Sequence, residues 1–532
     1  MVNINNIERL PGLVQRGAEQ FGDATALLHA DRPNRGMSYR ELHRLTERGA
    51  QCLRSIRSDA HNPVLLCMES DPTWAAALFS ILEAGLIAIP VPADTPVQNL
   101  GAIVQTAGVK TVILGARTQP LAKDLPGCEC ILPDRLFQDS TEARASAAVP
   151  EIAILAFTSG STQHPRAVEL THSNLIANLK GLLSVREATP DDAFLSILPP
   201  AHLFELTVGL LGPLACGSRV VTVGAPMPNR ILDALREHQI THALAVPALV
   251  HCLYQEILLE LAEEGVIDSA RIRQSAVDSA RRLQTELSET DLDRIRTAVR
   301  SRIGDSFFTL AVGGAAIDPA YSFLLNALGI RVELGYGLTE AGPIVSCGFA
   351  GECPPGSVGR PLPNVEVRVD ESGEILVRGP NVMKGYFNDR ASTQSALQDG
   401  WLHTGDRGHL DENGFLVIDG RIKEAMVTDT GETLYPEEIE PYYRHPLFAE
   451  WCVAGLSDNG GNDAPVLFVV PASSSTGEAG LQQAFKEMKA LAPARLRIPR
   501  MIALDHPLPR TATGKIRRRL VAATFENPED IL

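Results

Sequence analysis

Four short, almost wholly apolar runs limit most tightly what this chain can become: residues 86–92, 110–114, 152–157 and 218–223. A strand that is apolar on every residue must be covered on both faces, as parallel strands are beneath helices, whereas an antiparallel strand facing water alternates. Around these runs, residues 37–54 and 74–84 carry apolar side chains at helical spacing. The alternation predicts an α/β fold of layered sheets. At 532 residues the chain exceeds the size at which a single core stops growing, roughly 250–300 residues, so two or three domains follow.

The pattern then changes. Residues 255–302 are rich in Glu, Arg, Asp and Ser with Leu and Ile at helical spacing, which predicts one or two exposed helices on a surface insertion. Residues 365–369 and 373–378 alternate apolar and polar side chains, as half-buried antiparallel strands do, and predict a small β-rich subdomain at about 345–420. About a hundred residues remain after Asp419-Gly420-Arg421, the size of a separate domain. The expected division is a large domain over 1–420, a joint at 421–424 and a small domain over 425–532.

Composition removes several function classes. A net charge of −16 argues against a nucleic-acid partner, which needs clustered Lys and Arg, and the short basic run Lys515 to Arg519 stands in an acidic chain. Nine cysteines at irregular spacing show neither a disulfide framework nor a repeated zinc pattern, and imply a reducing, cytoplasmic setting. The first residues lack the basic and apolar regions of a secretory signal. Residues 74–93, the longest apolar stretch, are broken by Glu83, Gly85, Pro90 and Pro92, so no transmembrane segment is expected.

Four segments carry chemistry. Thr158-Ser159-Gly160-Ser161-Thr162, followed by Arg166, offers hydroxyls, free amides and a positive charge to polyphosphate oxygens directly after a buried strand. It is not a Walker loop, because no Gly-Lys-Ser/Thr closes it. Gly335-Tyr336-Gly337-Leu338-Thr339-Glu340 sets an aromatic face between two glycines, where it can stack on adenine, with a hard oxygen ligand for Mg2+ at Glu340. Upstream, Gly314 and Ala315 present bare backbone to a planar base. Asp406, beside Gly405, suits two ribose hydroxyls, and Arg421 can reach the same sugar or the phosphate. Lys515, beside Gly514, can deliver a point charge to a developing phosphorane.

In order and spacing these segments resemble, from about Met37 to Arg518, the adenylate-forming superfamily of acyl-CoA synthetases, aryl-CoA ligases, luciferases and peptide-synthetase adenylation domains. The resemblance implies a large N-terminal domain joined to a small mobile α+β C-terminal domain. It assigns Thr158 to Arg166 to the phosphate loop, Tyr336 to Glu340 to adenine and Mg2+, Asp406 to ribose, Lys423 to the hinge and Lys515, with Glu340, Thr339 and His202, to catalysis. The segment Leu198-Pro199-Pro200-Ala201-His202-Leu203-Phe204-Glu205 is similar to that of long-chain fatty acyl ligases, with His202 flanking the acyl pocket. Glu205 stands where amino-acid-activating relatives carry an Asp for the α-ammonium. Most relatives read Thr-Gly-x-Pro-Lys-Gly in the phosphate loop, whereas here Gln163, Arg166 and Ala167 replace Gly, Lys and Gly.

The implied activity is ATP-dependent adenylation of a fatty or other hydrophobic acid, release of pyrophosphate, domain alternation about Lys423, and transfer to coenzyme A. The alternatives are transfer to the phosphopantetheine of an acyl carrier protein, activation of an aryl or amino acid, and a non-catalytic acyl- or nucleotide-binding relative. The implied cofactors are ATP, Mg2+ and coenzyme A, and the implied assembly is a monomer or homodimer.

Overall fold

The computed structural model describes residues 2, 4–56, 63–139, 150–158, 166–224, 227–263, 265, 289–315, 317, 319–428, 432–457, 463–473, 477–510 and 516–525. Two large sheets form its centre. In the nine-stranded sheet, Arg331–Gly337, Thr309–Val312, His242–Ala245, Ala193–Ser196, Arg219–Thr222 and Thr25–His29 run parallel in that spatial order. Antiparallel strands close both edges: Ile344–Phe349 and then Arg360–Pro361 on one side, Arg32–Ser38 on the other. The seven-stranded sheet has the order Gly385–Tyr386, Arg166–Thr171, Ile152–Thr158, Ala88–Val91, Val64–Cys67, Thr111–Leu114 and Glu129–Ile131. The four apolar runs fall in these sheets, at Ala88–Val91, Thr111–Leu114, Ile152–Thr158 and Arg219–Thr222.

The expected helices are Tyr39–Ile56 and Pro72–Glu83. The second starts sharply, because Pro72 supplies a pre-set first turn and Asp71 accepts from the Thr73 N–H at 2.8 Å. Its side chains from Trp74 to Leu82 are all buried, so it serves as the core between layers. The two helices pack closely where Gly49 meets Ser80: a Cβ at Gly49 would stand 2.2 Å from the Ser80 hydroxyl.

Of the stretch 255–302 read as an exposed insertion, residues 264 and 266–288 lie outside the described residues, and for its two ends the reading is corrected. The helices Pro247–Glu263 and Glu289–Ile303 bury Val250, Tyr254, Leu258, Leu261, Ile295, Val299 and Ile303 in the second hydrophobic core. Their charges are used at the edge of that core: Arg302 pairs with both Asp233 and Glu260 at 2.9 Å. The local composition is that of a solvated surface, yet one stripe of each helix is apolar, and the stripe decides the packing.

A five-stranded sheet comprises Glu366–Val369, Glu374–Arg378, Trp401–Leu410 and Leu397–Gln398, with Leu416–Arg421 paired to Trp401–Leu410. Beyond it lie the short pair Met426–Val427 and Thr433–Leu434, then a sheet of Phe448–Ser457, Asp463–Pro471 and Arg500–Ala503 packed with Glu478–Leu491 and Arg518–Ala523. Among the described residues no helix is long and apolar enough to cross a membrane.

Candidate active site

In parallel sheets the ends of the strands form the crevice in which ligands bind. Several predicted positions follow such ends. Gly314 and Ala315 come after Thr309–Val312, Gly335 to Gly337 end Arg331–Gly337, and Thr158 ends Ile152–Thr158. The glycines are required by contact: a Cβ at Gly337 would stand 1.9 Å from the Pro343 carbonyl oxygen, and Gly314 has φ +86. The turn Thr339–Ala341 follows, closed by Gly342 in the left-handed region.

Asp406 is the most tightly built group. It is only 2 % exposed, and it lies directly opposite Arg421 in the antiparallel register of Trp401–Leu410 and Leu416–Arg421. The Tyr336 hydroxyl donates to its Oδ2 at 2.7 Å, and Arg421 Nε stands 3.1 Å from its Oδ1. Glu374 fixes the approach from below, accepting the Gly405 N–H at 2.8 Å and holding His403 at 2.8 Å. Burial, and then Asp406, push the Tyr336 phenol well above its ordinary range, so it stays a donor. Burial opposes the charge on Arg421, but Asp406, Tyr336, Glu424 and Glu340 more than restore it. Arg421 therefore feels the predicted ribose and metal ligands at once.

Glu340 accepts from the Tyr386 hydroxyl at 2.9 Å through Oε1, and the Arg166 guanidinium lies 5.6 Å from the centre of the same ring. Tyr386 thus joins the residue that ends the predicted phosphate loop to the predicted metal ligand. No sequence signal marked it, since a lone aromatic after a glycine is common; only the pairing of Gly385–Tyr386 with Arg166–Thr171 brings it there. Residues 159–165, including Ser159, Gly160, Ser161 and Thr162, lie outside the described residues, as does Lys515. The chain on either side of Lys515 is drawn together, with Arg510 and Ile516 paired antiparallel.

The basic run after Lys515 is not wholly catalytic. Arg518 is held by Glu424 at 2.8 Å and Glu440 at 3.0 Å, with Glu437 at 3.7 Å, while Arg519 donates to the Lys423 carbonyl at 3.0 Å. Burial would disfavour the Arg518 charge, yet the three carboxylates raise it further, and burial pushes Glu437 up to about 7. These arginines fasten the last helix to the predicted hinge.

In the segment predicted to flank the acyl pocket, His202 opens a helical turn, donating its N–H to the Pro199 carbonyl at 3.0 Å; burial lowers its imidazole against an opposing pull from Asp94. Glu205 begins the π-helix Glu205–Leu211 and is 0 % exposed. Its carboxyl folds over Gly209, where a Cβ would meet Oε1 at 2.3 Å. Burial pushes it up to about 8; Ser196 and the Leu198 backbone oppose this weakly, and neither carboxyl oxygen makes a hydrogen bond of good geometry. Burial thus favours its protonated form, which offers an ammonium group no ready charge.

Residues 14–387 match the family model described as AMP-binding enzyme, and the chain belongs to that family. Over 527 residues it is 29% identical to the indoleacetate–CoA ligase of Aromatoleum aromaticum, covering 92% of this chain and 94% of that one. Over 400 residues it is 30% identical to a long-chain-fatty-acid–CoA ligase of Bacillus subtilis, covering 71% of this chain and 62% of that protein. The fold matches that of o-succinylbenzoate CoA synthetase from Bacillus subtilis in complex with its acyl-adenylate intermediate, with a TM-score of 0.78, 22% identity and coverage of 97% and 98%. The protein is thus an acid–thiol ligase of the AMP-forming type, with the mixed α/β architecture expected of one.

Proposed function

We propose that this enzyme activates a hydrophobic carboxylic acid, fatty or aryl and without an α-amino group, to acyl-AMP and then transfers the acyl group to coenzyme A. The observation that carries the nucleotide half is the buried Asp406, held between the Tyr336 hydroxyl at 2.7 Å and Arg421 Nε at 3.1 Å. In this reading Asp406 accepts from the ribose hydroxyls, Tyr336 and Arg421 hold it for them, and Gly335 to Gly337 leave room for adenine. Arg166 and Lys515 carry positive charge toward the phosphates.

Glu340 fits a magnesium ligand. Among the described residues, hydrogen bonding engages its Oε1 and leaves Oε2 for a cation, and no group of three His, Cys, Asp or Glu forms a cage. Mg2+ is commonly held by one or two carboxylates plus substrate phosphates, and there it would neutralise charge on the phosphate oxygens. The substrate carboxylate attacks the α-phosphorus of ATP, the bond to the pyrophosphate oxygen breaks, and the protein supplies position and charge rather than a nucleophile. Coenzyme A thiol then attacks the acyl carbon, and AMP leaves. A turn of residues 425–532 about Lys423 would separate the two steps, exchanging Lys515 for a thiol path.

Glu205 supports the choice of acid, because a neutral, fully covered carboxyl would have to ionise and move to meet an α-ammonium. ATP–pyrophosphate exchange across fatty, aryl and α-amino acids tests the reading. Exchange with fatty or aryl acids is expected; exchange with amino acids alone, or with none, overturns it. Adding coenzyme A or a phosphopantetheinylated carrier protein in parallel identifies the acceptor, and transfer only to the carrier protein would replace the coenzyme A half of the proposal.

A further inference from the structure

The segment from Pro380 to Phe387 is fastened on three sides. Toward the turn bearing Glu340, the Met383 N–H donates to the Glu340 carbonyl at 2.8 Å and Asn381 Nδ2 to the Ala341 carbonyl at 2.7 Å. Toward the strand that begins at Arg166, Gly385 and Tyr386 pair with Glu169 and Val168, and the Phe387 N–H donates to the Ala167 carbonyl at 2.8 Å. On the third side Asn174, in the first turn of the helix His172–Val185, donates to the carbonyls of Pro380 and Val382, both at 2.8 Å. The Tyr386 N–H is itself held by Thr393 Oγ1 at 2.9 Å. A ring on so fixed a backbone has little freedom, and its hydroxyl reaches Glu340 Oε1 while its face carries Arg166.

We propose that Tyr386 is a positioning residue for the metal–nucleotide complex: it turns Glu340 so that Oε2 faces the cation, and it seats Arg166 beside the phosphates. The inference rests on the reading of Glu340 as metal ligand. Mg2+ demands near-ideal octahedral geometry, so a carboxylate free to rotate holds it poorly, and a hydroxyl bound to one oxygen removes that rotation. The ring also accounts for Arg166 where most relatives have Lys. A planar guanidinium stacks on an aromatic face as an ammonium does not, and stacking restores the order that a charge on a long side chain lacks.

The test uses the full chain with Mn2+ and a non-hydrolysable ATP analogue, following bound Mn2+ by electron paramagnetic resonance, together with the Mg2+ dependence of ATP–pyrophosphate exchange. Tyr386→Phe keeps the ring under Arg166 and removes the hydroxyl that donates to Glu340 and also meets Arg166. It is expected to weaken Mn2+ binding in the nucleotide complex about tenfold and to raise the half-saturating Mg2+ by the same factor, leaving the KM for the acid and the melting temperature near those of the parent. Tyr386→Leu should add a several-fold rise in the KM for ATP, since Arg166 loses its seat. A Tyr386→Phe protein with parental Mn2+ affinity and an unchanged Mg2+ curve overturns the proposal. The Mn2+ measurement needs no acid, so it judges Tyr386 even where the exchange assay rejects the proposed substrates.

Discussion

Asp406 and Glu205 are buried to nearly the same extent, 2 % and 0 % exposed, yet they lie in regions built on opposite principles. Asp406 keeps close company: a phenol at 2.7 Å and a guanidinium at 3.1 Å repay the loss of water. Glu205 has no charged partner, and burial, opposed by Ser196 and the Leu198 backbone, pushes it up to about 8, which favours its protonated form. The proposed nucleotide side is thus a region of paired charge, and the proposed acyl side one where burial favours the protonated form of a carboxyl. A site so divided suits a ligand that is polyanionic and hydroxylated at one end and apolar at the other.

The sharpest attempt to break this contrast is at the charge supplied from the small domain. Lys515→Ala should slow adenylate formation by roughly 10²–10³-fold, the usual cost of removing one donor to a transition state. Thioester formation from supplied acyl-adenylate should survive, and an equal loss in both half-reactions would take Lys515 out of the first step. Asp406→Ala comes next. It leaves Tyr336 and Arg421 without their acceptor and should weaken ATP binding about 100-fold in a calorimetric titration, on the scale of one or two charge-assisted hydrogen bonds. Unaltered ATP affinity would remove Asp406 from the nucleotide side.

The acyl side is tested through pH. The folded-state value of Glu205 lies above its ordinary 4.5, at about 8, so the folded protein binds this proton more tightly than the unfolded chain. The stabilisation is complete below about 4.5 and is lost as pH rises toward and through about 8. Glu205→Gln, which cannot ionise, should gain stability relative to the parent as pH rises through that window, followed by denaturant titrations. Parallel slopes for the two proteins would mean that Glu205 is charged and paired after all. The smallest effect is expected where the two domains touch, because Arg407 donates to the Tyr435 hydroxyl at 3.2 Å and lies 5.3 Å from its ring centre. Arg407→Ala should shift the ratio of the two half-reaction rates only two- to fivefold, as a partly exposed cation–π contact allows.

How much of this was legible in the chain follows from where each signal lives. The buried strands announced themselves because parallel strands are apolar on both faces, and Asp406, Tyr336 and Glu340 because they stand in motifs of fixed spacing. Tyr386 was invisible, since its place depends on a two-residue strand laid beside Arg166–Thr171, which is a tertiary fact. The place of Arg518 was likewise not legible: that three carboxylates, at 424, 437 and 440, surround it is a tertiary fact. Glu205 stands in the segment that resembles fatty acyl ligases, but the depth of burial that raises it is recorded by no local pattern. The two described ends of the stretch 255–302 read as exposed because charged residues lie among their apolar ones, although Leu258, Leu261, Ile295, Val299 and Ile303 go to the core.

The central claim is that polar groups around Arg421 hold ATP while an apolar acid is brought to its α-phosphate. Mass spectrometry of the full chain incubated with Mg2+, ATP and a panel of fatty and aryl acids tests it most directly. The account predicts an acyl-AMP for at least one such acid, formed with equimolar pyrophosphate and converted to the acyl-CoA when coenzyme A is added. Binding of ATP without any acid-dependent pyrophosphate, across the whole panel, would contradict it.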